Sequence, residues 1–145
     1  MKFCSANEIK MINESDKQLV FDTVKSTPYL KLLGIELVEI EEGRAVMSLE
    51  MQEKLRQPHG LLHGGATASL IDTAMAFAVV TRLEKDEKAS TVDLTVQYLR
   101  PHTSGKIVCT AKVTRSGKRL LFVSAEAENE EGKLIATALS TYTKV

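Results

Sequence analysis

The residues with the makings of chemistry in this 145-residue chain cluster near its middle: Gln57, His63, Gly64, Gly65 and Asp72. The run Gln57-Pro58-His59-Gly60-Leu61-Leu62-His63-Gly64-Gly65 ends a loop, turns on two glycines and opens a helix that continues to Thr81. Gly64 and Gly65 leave free backbone N–H groups at the helix start, where the dipole favours negative charge. The helix carries Leu70, Ile71, Ala74, Met75, Ala76, Phe77, Ala78, Val79 and Val80, apolar on nearly every side. A helix without a clear wet face is normally buried. One charge interrupts it, Asp72, nine residues after His63. A buried carboxylate without a partner is costly, so it is retained where it is paired or used. A carboxylate in an apolar setting near a donor-rich turn outlines a site that attacks a carbonyl. The alternative is a carboxylate that caps or pairs inside the core.

The elements that must position these residues follow from pattern. A polar, helix-tolerant stretch with Val20, Phe21 and Val24 predicts a helix over residues 14 to 25 lying on the rest of the fold. Thr27-Pro28 suits an N-cap followed by proline at the first helical position, giving a short helix from Pro28 to Leu33 that Gly34 stops. Ile35 to Ile40 and Arg44 to Met51 are strand-like, joined at Glu42-Gly43. Gln52 to Leu62 is a loop, and Arg82 to Lys88 a charged exit from the central helix. Beyond it come four consecutive antiparallel strands. Between Thr91 and Tyr98 the alternation puts Val92, Leu94, Val96 and Tyr98 on one face and Thr91, Asp93, Thr95 and Gln97 on the other. Pro101 and Gly105 bracket the next turn. Ile107 to Thr114 and Leu121 to Ala127 alternate likewise about a turn at Ser116-Gly117, and Leu134 to Val145 closes the set. An antiparallel sheet with one principal helix packed on one face is an α+β design.

The totals bound the rest. The length is that of one domain with a proper core. Nineteen basic residues balance nineteen acidic ones, which argues against nucleic acid or an anionic membrane as the main partner. Cys4 and Cys109 make no disulfide framework, and no Cys/His cluster has metal spacing. Met1 to Ser5 lacks the apolar region of a signal peptide, and the apolar run Ala74–Val80 is too short to span a bilayer. A soluble cytoplasmic protein is expected.

Over residues 27 to 145 the chain resembles the hotdog-fold acyl-CoA thioesterases, specifically the phenylacetate-pathway-like branch. The resemblance is carried by His63-Gly64-Gly65, the acid within Leu70-Ile71-Asp72-Thr73-Ala74, and Thr91-Val92-Asp93-Leu94 followed by Tyr98-Leu99-Arg100-Pro101. It implies an antiparallel sheet wrapped around one long central helix, preceded here by an N-terminal helical extension over residues 1 to 26. It also implies a dimer whose sheets join, with active sites at the subunit interface, and commonly a dimer of dimers. Carried over residue by residue, Asp72 is the catalytic carboxylate, as nucleophile or as general base toward water. The N–H of Gly64 polarises the thioester carbonyl and binds the developing oxyanion. Gly65 adds to the substrate contact, His63 orients the turn, and Thr91 aligns with a hydroxyl that helps place the attacking water. The other reading of Thr91 is an ordinary solvent-facing strand threonine.

Gln57 departs from the phenylacetate pattern, which usually has asparagine six residues before the histidine. Glutamine there is similar to the hydroxybenzoyl-CoA and menaquinone-pathway thioesterases. Those tend, however, to use glutamate at the position of Asp72 and a hydroxyl at that of Ala76. Gln57 can still donate its amide to the thioester or hold the water. A CoA partner needs cations for its phosphates, and Lys118, Arg119 and Arg100 are the candidates, against the bland reading of solvated turn residues. Leu61, Leu62 and Phe77 either line an acyl pocket or belong to the core. Asp93 shares the strand face of Thr91, near the site or at the subunit seam. Cys109 alternates with core residues as a buried thiol.

The function expected is hydrolysis of an acyl- or aryl-CoA thioester, with no metal or redox cofactor, CoA being part of the substrate. A non-catalytic acyl-CoA-binding hotdog module acting as a sensor is the alternative, though it could dispense with the acid at position 72. A hotdog dehydratase fits the nine-residue offset from His63 to Asp72 less well.

Overall fold

The computed structural model describes residues 12–145. Cys4 and the first eleven residues of the expected N-terminal extension lie outside the described residues. The order is α1 (Glu14–Ser26), α2 (Pro28–Leu33), β1 (Ile35–Glu41), β2 (Arg44–Glu50), a single 3-10 turn (Glu53–Leu55), α3 (Gly64–Val80), β3 (Ala89–Tyr98), β4 (Lys106–Ser116), β5 (Leu120–Asn129) and β6 (Leu134–Lys144). Six antiparallel strands form one sheet, and α3 packs across its inner face, as the alternation and the one apolar helix imply.

Asn13 caps α1 by accepting the N–H of Asp16 at 2.8 Å, and Val24 carries that helix into the same core as the sheet. Thr27 occupies the cap position of α2, yet its hydroxyl donates back to Thr23 O at 2.7 Å and does not cap. Gly34 ends α2 in the left-handed region at φ +77°, a conformation that favours glycine.

The core is a row of inward side chains, Ile107, Cys109 and Ala111 from β4 and Leu121, Val123 and Ala127 from β5 as their alternation predicts, joined by Ala45, Met47 and Leu49 from β2, a strand buried on both faces. Leu70, Ile71, Ala74, Met75 and Ala78 of α3 meet them. Burying each of the larger ones contributes about 1.5–3 kcal/mol relative to exposure. Cys109 is wholly buried, and desolvation pushes its thiol up to about 12.

Three expectations need correction. Consecutive strands in sequence are not all neighbours in the sheet, whose order is β1-β2-β4-β5-β6-β3. Pro101 and Gly105 therefore bracket a crossing from one edge to the middle, not a hairpin turn. The alternation in β3 breaks, because the register with β6 shifts between Thr91 and Asp93. The bulge turns Val92 out, 58% exposed, and sets Thr91 opposite the buried Tyr142, so Thr91 and Asp93 do not share a face. Finally, α3 is not buried all round. Gly65, Ser69, Asp72, Thr73, Ala76 and Val80 form an uncovered or half-covered stripe at helical spacing.

Candidate active site

The site residues fall into two groups on α3. At its N-terminus, Gln57, Leu61, Leu62, Gly64 and Arg100 line one cleft of about 370 Å³ together with Tyr98 and His102. The loop that delivers them is closed by its own hydrogen bonds. Gln57 N donates to Leu61 O at 2.8 Å, Gly60 N to Gln57 O at 2.9 Å and His63 N to Leu55 O at 2.8 Å. Gly60 makes the tight turn at φ +81°. The Arg56 guanidinium donates to the carbonyls of Gly60 and Thr103, tying the loop to the β3–β4 crossing. His102, buried, holds the same two segments together: its carbonyl accepts Leu62 N–H at 2.8 Å and its Nε2 donates to Gly105 O at 3.1 Å.

His63 is the N-cap of α3. Its Nδ1 accepts the N–H of Gly65 at 2.9 Å, so that nitrogen carries no proton here and the ring orients the turn. A side chain on Gly65 would come within 2.9 Å of the same Nδ1. The Gly65 N–H is thus taken up by the cap. The Gly64 N–H is given to no acceptor among the described residues, and its carbonyl accepts the Tyr98 hydroxyl at 2.9 Å. Tyr98 packs so closely on Gly64 that a Cβ there would meet its ring at 3.3 Å.

The second group surrounds Asp72. The Tyr142 hydroxyl donates to Asp72 Oδ1 at 3.2 Å and to the Asp72 carbonyl at 3.3 Å, while Thr91 Oγ1 donates to the same Oδ1 at 3.5 Å. Tyr142 is 2% exposed, and burial holds its phenol well above the usual tyrosine range, so it stays a donor. The bulge that swings Thr91 inward is fixed from β6: Asp93 Oδ1 accepts Thr141 N–H at 2.8 Å, and the Ser140 hydroxyl donates to Asp93 O at 2.6 Å.

Eight residues of helix separate Gly64 from Asp72, about 12 Å along the axis. One chain therefore does not bring the free amide and the carboxylate to one carbonyl. The cations divide in the same way. Arg100 sits at the Gly64 end, with one guanidinium nitrogen on Leu134 O at 2.8 Å. Lys118 and Arg119 are exposed in the β4–β5 turn, beside the strand ends that carry Tyr142. Phe77 is half-buried and packs on the core. Tyr142 and His102 escaped the sequence reading. Inward alternation along β6 marks Tyr142 as a buried phenol in need of a partner, but its partner lies 70 residues away.

Comparison with known proteins gives the family and the fold. The family model described as the thioesterase superfamily matches residues 59–136. The chain is similar to acyl-coenzyme A thioesterase 13 of Homo sapiens, 32% identical over 133 residues that cover 90% of this chain and 94% of that protein. It is similar to the 1,4-dihydroxy-2-naphthoyl-CoA hydrolase of Listeria monocytogenes serotype 1/2a, 31% identical over 109 residues, 75% of this chain and 89% of that one. Among solved structures, the E. coli PaaI protein from the phenylacetic acid degradation operon superimposes with a TM-score of 0.82 at 27% identity, covering 89% of this chain and 92% of its own.

Proposed function

The chain belongs to the thioesterase superfamily and hydrolyses CoA thioesters, and on that premise we propose that Asp72 is the working carboxylate and Gly64 the oxyanion donor. The observation that carries this reading is the helix itself. Its first amide has no acceptor among the described residues, Gly64 lines a cleft with Gln57, and its one carboxylate stands on the open stripe with its side chain already oriented. As general base, Asp72 takes a proton from water as the water oxygen attacks the thioester carbon. The C–S bond then breaks, and the CoA sulfur leaves with that proton as the thiol. As nucleophile, Asp72 forms an acyl anhydride on expulsion of the CoA thiolate, and water then cleaves it. Both routes consume one water and release acid and CoA, and both are served by an N–H aimed at the developing oxyanion. CoA enters as part of the substrate, and the chemistry described needs no other group.

A site completed by a second copy of the chain is the reading that the 12 Å separation on one helix supports. Support comes from β3, an edge strand whose outer backbone side is unpaired among the described residues, with Val92 and Tyr98 exposed on it and Leu99 just beyond. A two-fold pairing of β3 edges centred between Leu94 and Thr95 sets Thr91 against the partner's Tyr98, and so Asp72 toward the partner's Gly64. The same pairing brings Lys118 and Arg119 toward the partner's Arg100, an anion-binding set suited to CoA phosphates. A further pairing of dimers has an open outer sheet face available around Leu139, which is 66% exposed.

The test is thiol release from a panel of aryl- and acyl-CoA esters by wild type and Asp72→Ala. The variant should keep its circular dichroism spectrum and lose at least about 10²-fold in turnover. Near-normal turnover in a folded Asp72→Ala protein removes Asp72 from the mechanism. Tight ester binding without turnover in the wild type points to the sensor module instead.

A further inference from the structure

The Asp72 carboxylate is held from one side. Both donors that reach it, Tyr142 from β6 and Thr91 from the bulge of β3, converge on Oδ1, and the same phenol also touches the Asp72 carbonyl. Oδ2 receives no hydrogen bond among the described residues, and no cation pairs with the carboxylate there. Tyr142 is wedged between β5 and β3, opposite Leu121 and Thr91, with its ring out of solvent. A side chain so packed cannot follow a rotating carboxylate; the carboxylate has to stay where the phenol is.

We propose that Tyr142, with Thr91 as second donor, is a positioning residue for the hydrolysis: it holds Oδ1 of Asp72, fixes the plane of the carboxylate and leaves Oδ2 as the oxygen presented to water or to the thioester carbon. The inference rests on the assignment of Asp72 above and adds to it the oxygen that acts and the residue that selects it. Tyr142 lies behind the carboxylate and does not reach substrate. Three successive residues of β6 therefore build this half of the site, because Ser140 and Thr141 pin the bulge that delivers Thr91 while Tyr142 sets the acid. Burial keeps the phenol protonated, so the hold persists over the range in which the carboxylate is ionised. Tyr142 is the only titratable group among the described residues with a hydrogen bond to this carboxylate, from the strand facing α3.

Wild type, Tyr142→Phe, Thr91→Val and Asp72→Asn are compared in thiol release from one acyl-CoA ester, with kcat and KM measured across pH. Removing a donor from an ionised carboxylate favours its protonated form, so the acid limb of the kcat profile should move to higher pH. For Tyr142→Phe we expect a limb displaced to higher pH and about a tenfold lower kcat, with KM within about twofold. Thr91→Val should move the limb in the same direction by less, its contact being longer. A phenylalanine that matters only to packing lowers thermal stability and leaves the limb in place. If Asp72→Asn is inactive while Tyr142→Phe reproduces the wild-type limb and kcat, the assignment of Tyr142 falls alone. If Asp72→Asn turns over normally, the assignment of Asp72 falls and this one with it. Should Tyr142→Phe not fold, an unmoved limb in Thr91→Val overturns the hold on Oδ1.

Discussion

Gln57 commits its carboxamide oxygen to its own loop, where Oε1 accepts the N–H of His59, and it lines the cleft it shares with Gly64. Its acceptor is structural and its donors are available for a thioester carbonyl. Gln57→Glu separates the two roles, because glutamate keeps the loop acceptor and loses the donors. It should retain the wild-type melting temperature and lower kcat by roughly tenfold or more with little change in KM, the pattern of an interaction made in the transition state. A rise in KM at unchanged kcat would make Gln57 a ground-state contact only. At this scale the sequence was informative wherever a role depends on near neighbours. The spacing within Gln57–Gly65 is local, and the fold gathers Gln57, Leu61, Leu62 and Gly64 on one cleft as that spacing suggests. His63 orients the turn through an i to i+2 bond that is legible for the same reason. Tyr142 was not legible, since its use depends on a strand that pairs two others before it meets α3.

The element that sharpens the site is the bulge in β3. Simple alternation places Thr91 with Asp93 and sends both away from the helix. One extra residue, Val92, reverses this for Thr91 alone. A bulge is invisible to periodicity because it is defined against the partner strand, and the partner of β3 is β6, not the next strand in sequence. The strand identities, the two N-terminal helices and the extent of α3 are short-range matters of period, cap and turn, and these the chain declares. Asp93 is the residue that fixes the bulge, through its carboxylate on Thr141 N–H at 2.8 Å. Asp93→Ala leaves that amide without its acceptor, costing about 1 kcal/mol and about 2–4 °C in melting temperature. Its larger effect should be on turnover, as Thr91 loses its register beside Asp72. The expected loss equals or exceeds that of Thr91→Val, and adding Thr91→Val to Asp93→Ala should cost little more. Fully additive losses in that double variant would mean the bulge does not act through Thr91.

At the scale of the whole molecule, a single chain is incomplete in three independent ways. Among the described residues, its central helix leaves a stripe of small and polar side chains partly open, its sheet ends in the unpaired edge of β3, and its free amide and its carboxylate stand about 12 Å apart on one rod. The two-fold pairing proposed along β3 would answer all three, because an isologous interface of that kind would bring each Asp72 to the partner's Gly64 and each Gly64 to the partner's Asp72. The arrangement makes a complementation prediction. Gly64→Pro deletes only the amide, at a first helical position that proline tolerates, behind a His63 whose ψ of 132° suits a following proline. The Tyr98 ring, at 3.3 Å from a new Cβ, has its exposed edge free to give the few tenths of an ångström required. Gly64→Pro and Asp72→Ala should each lose at least about 10²-fold in turnover as pure dimers. Mixed, unfolded and refolded together in equal amounts, they form mixed dimers in which one site carries both lesions and the other carries neither. Half the dimers are mixed and half their sites are intact, so the mixture should recover about a quarter of wild-type turnover. Recovery to that level, with sedimentation confirming dimers, is what a shared site requires. If the refolded mixture shows only the average of its two inactive parents, the amide and the carboxylate serve one carbonyl from the same chain, and the helix must bend or the acid must be another residue.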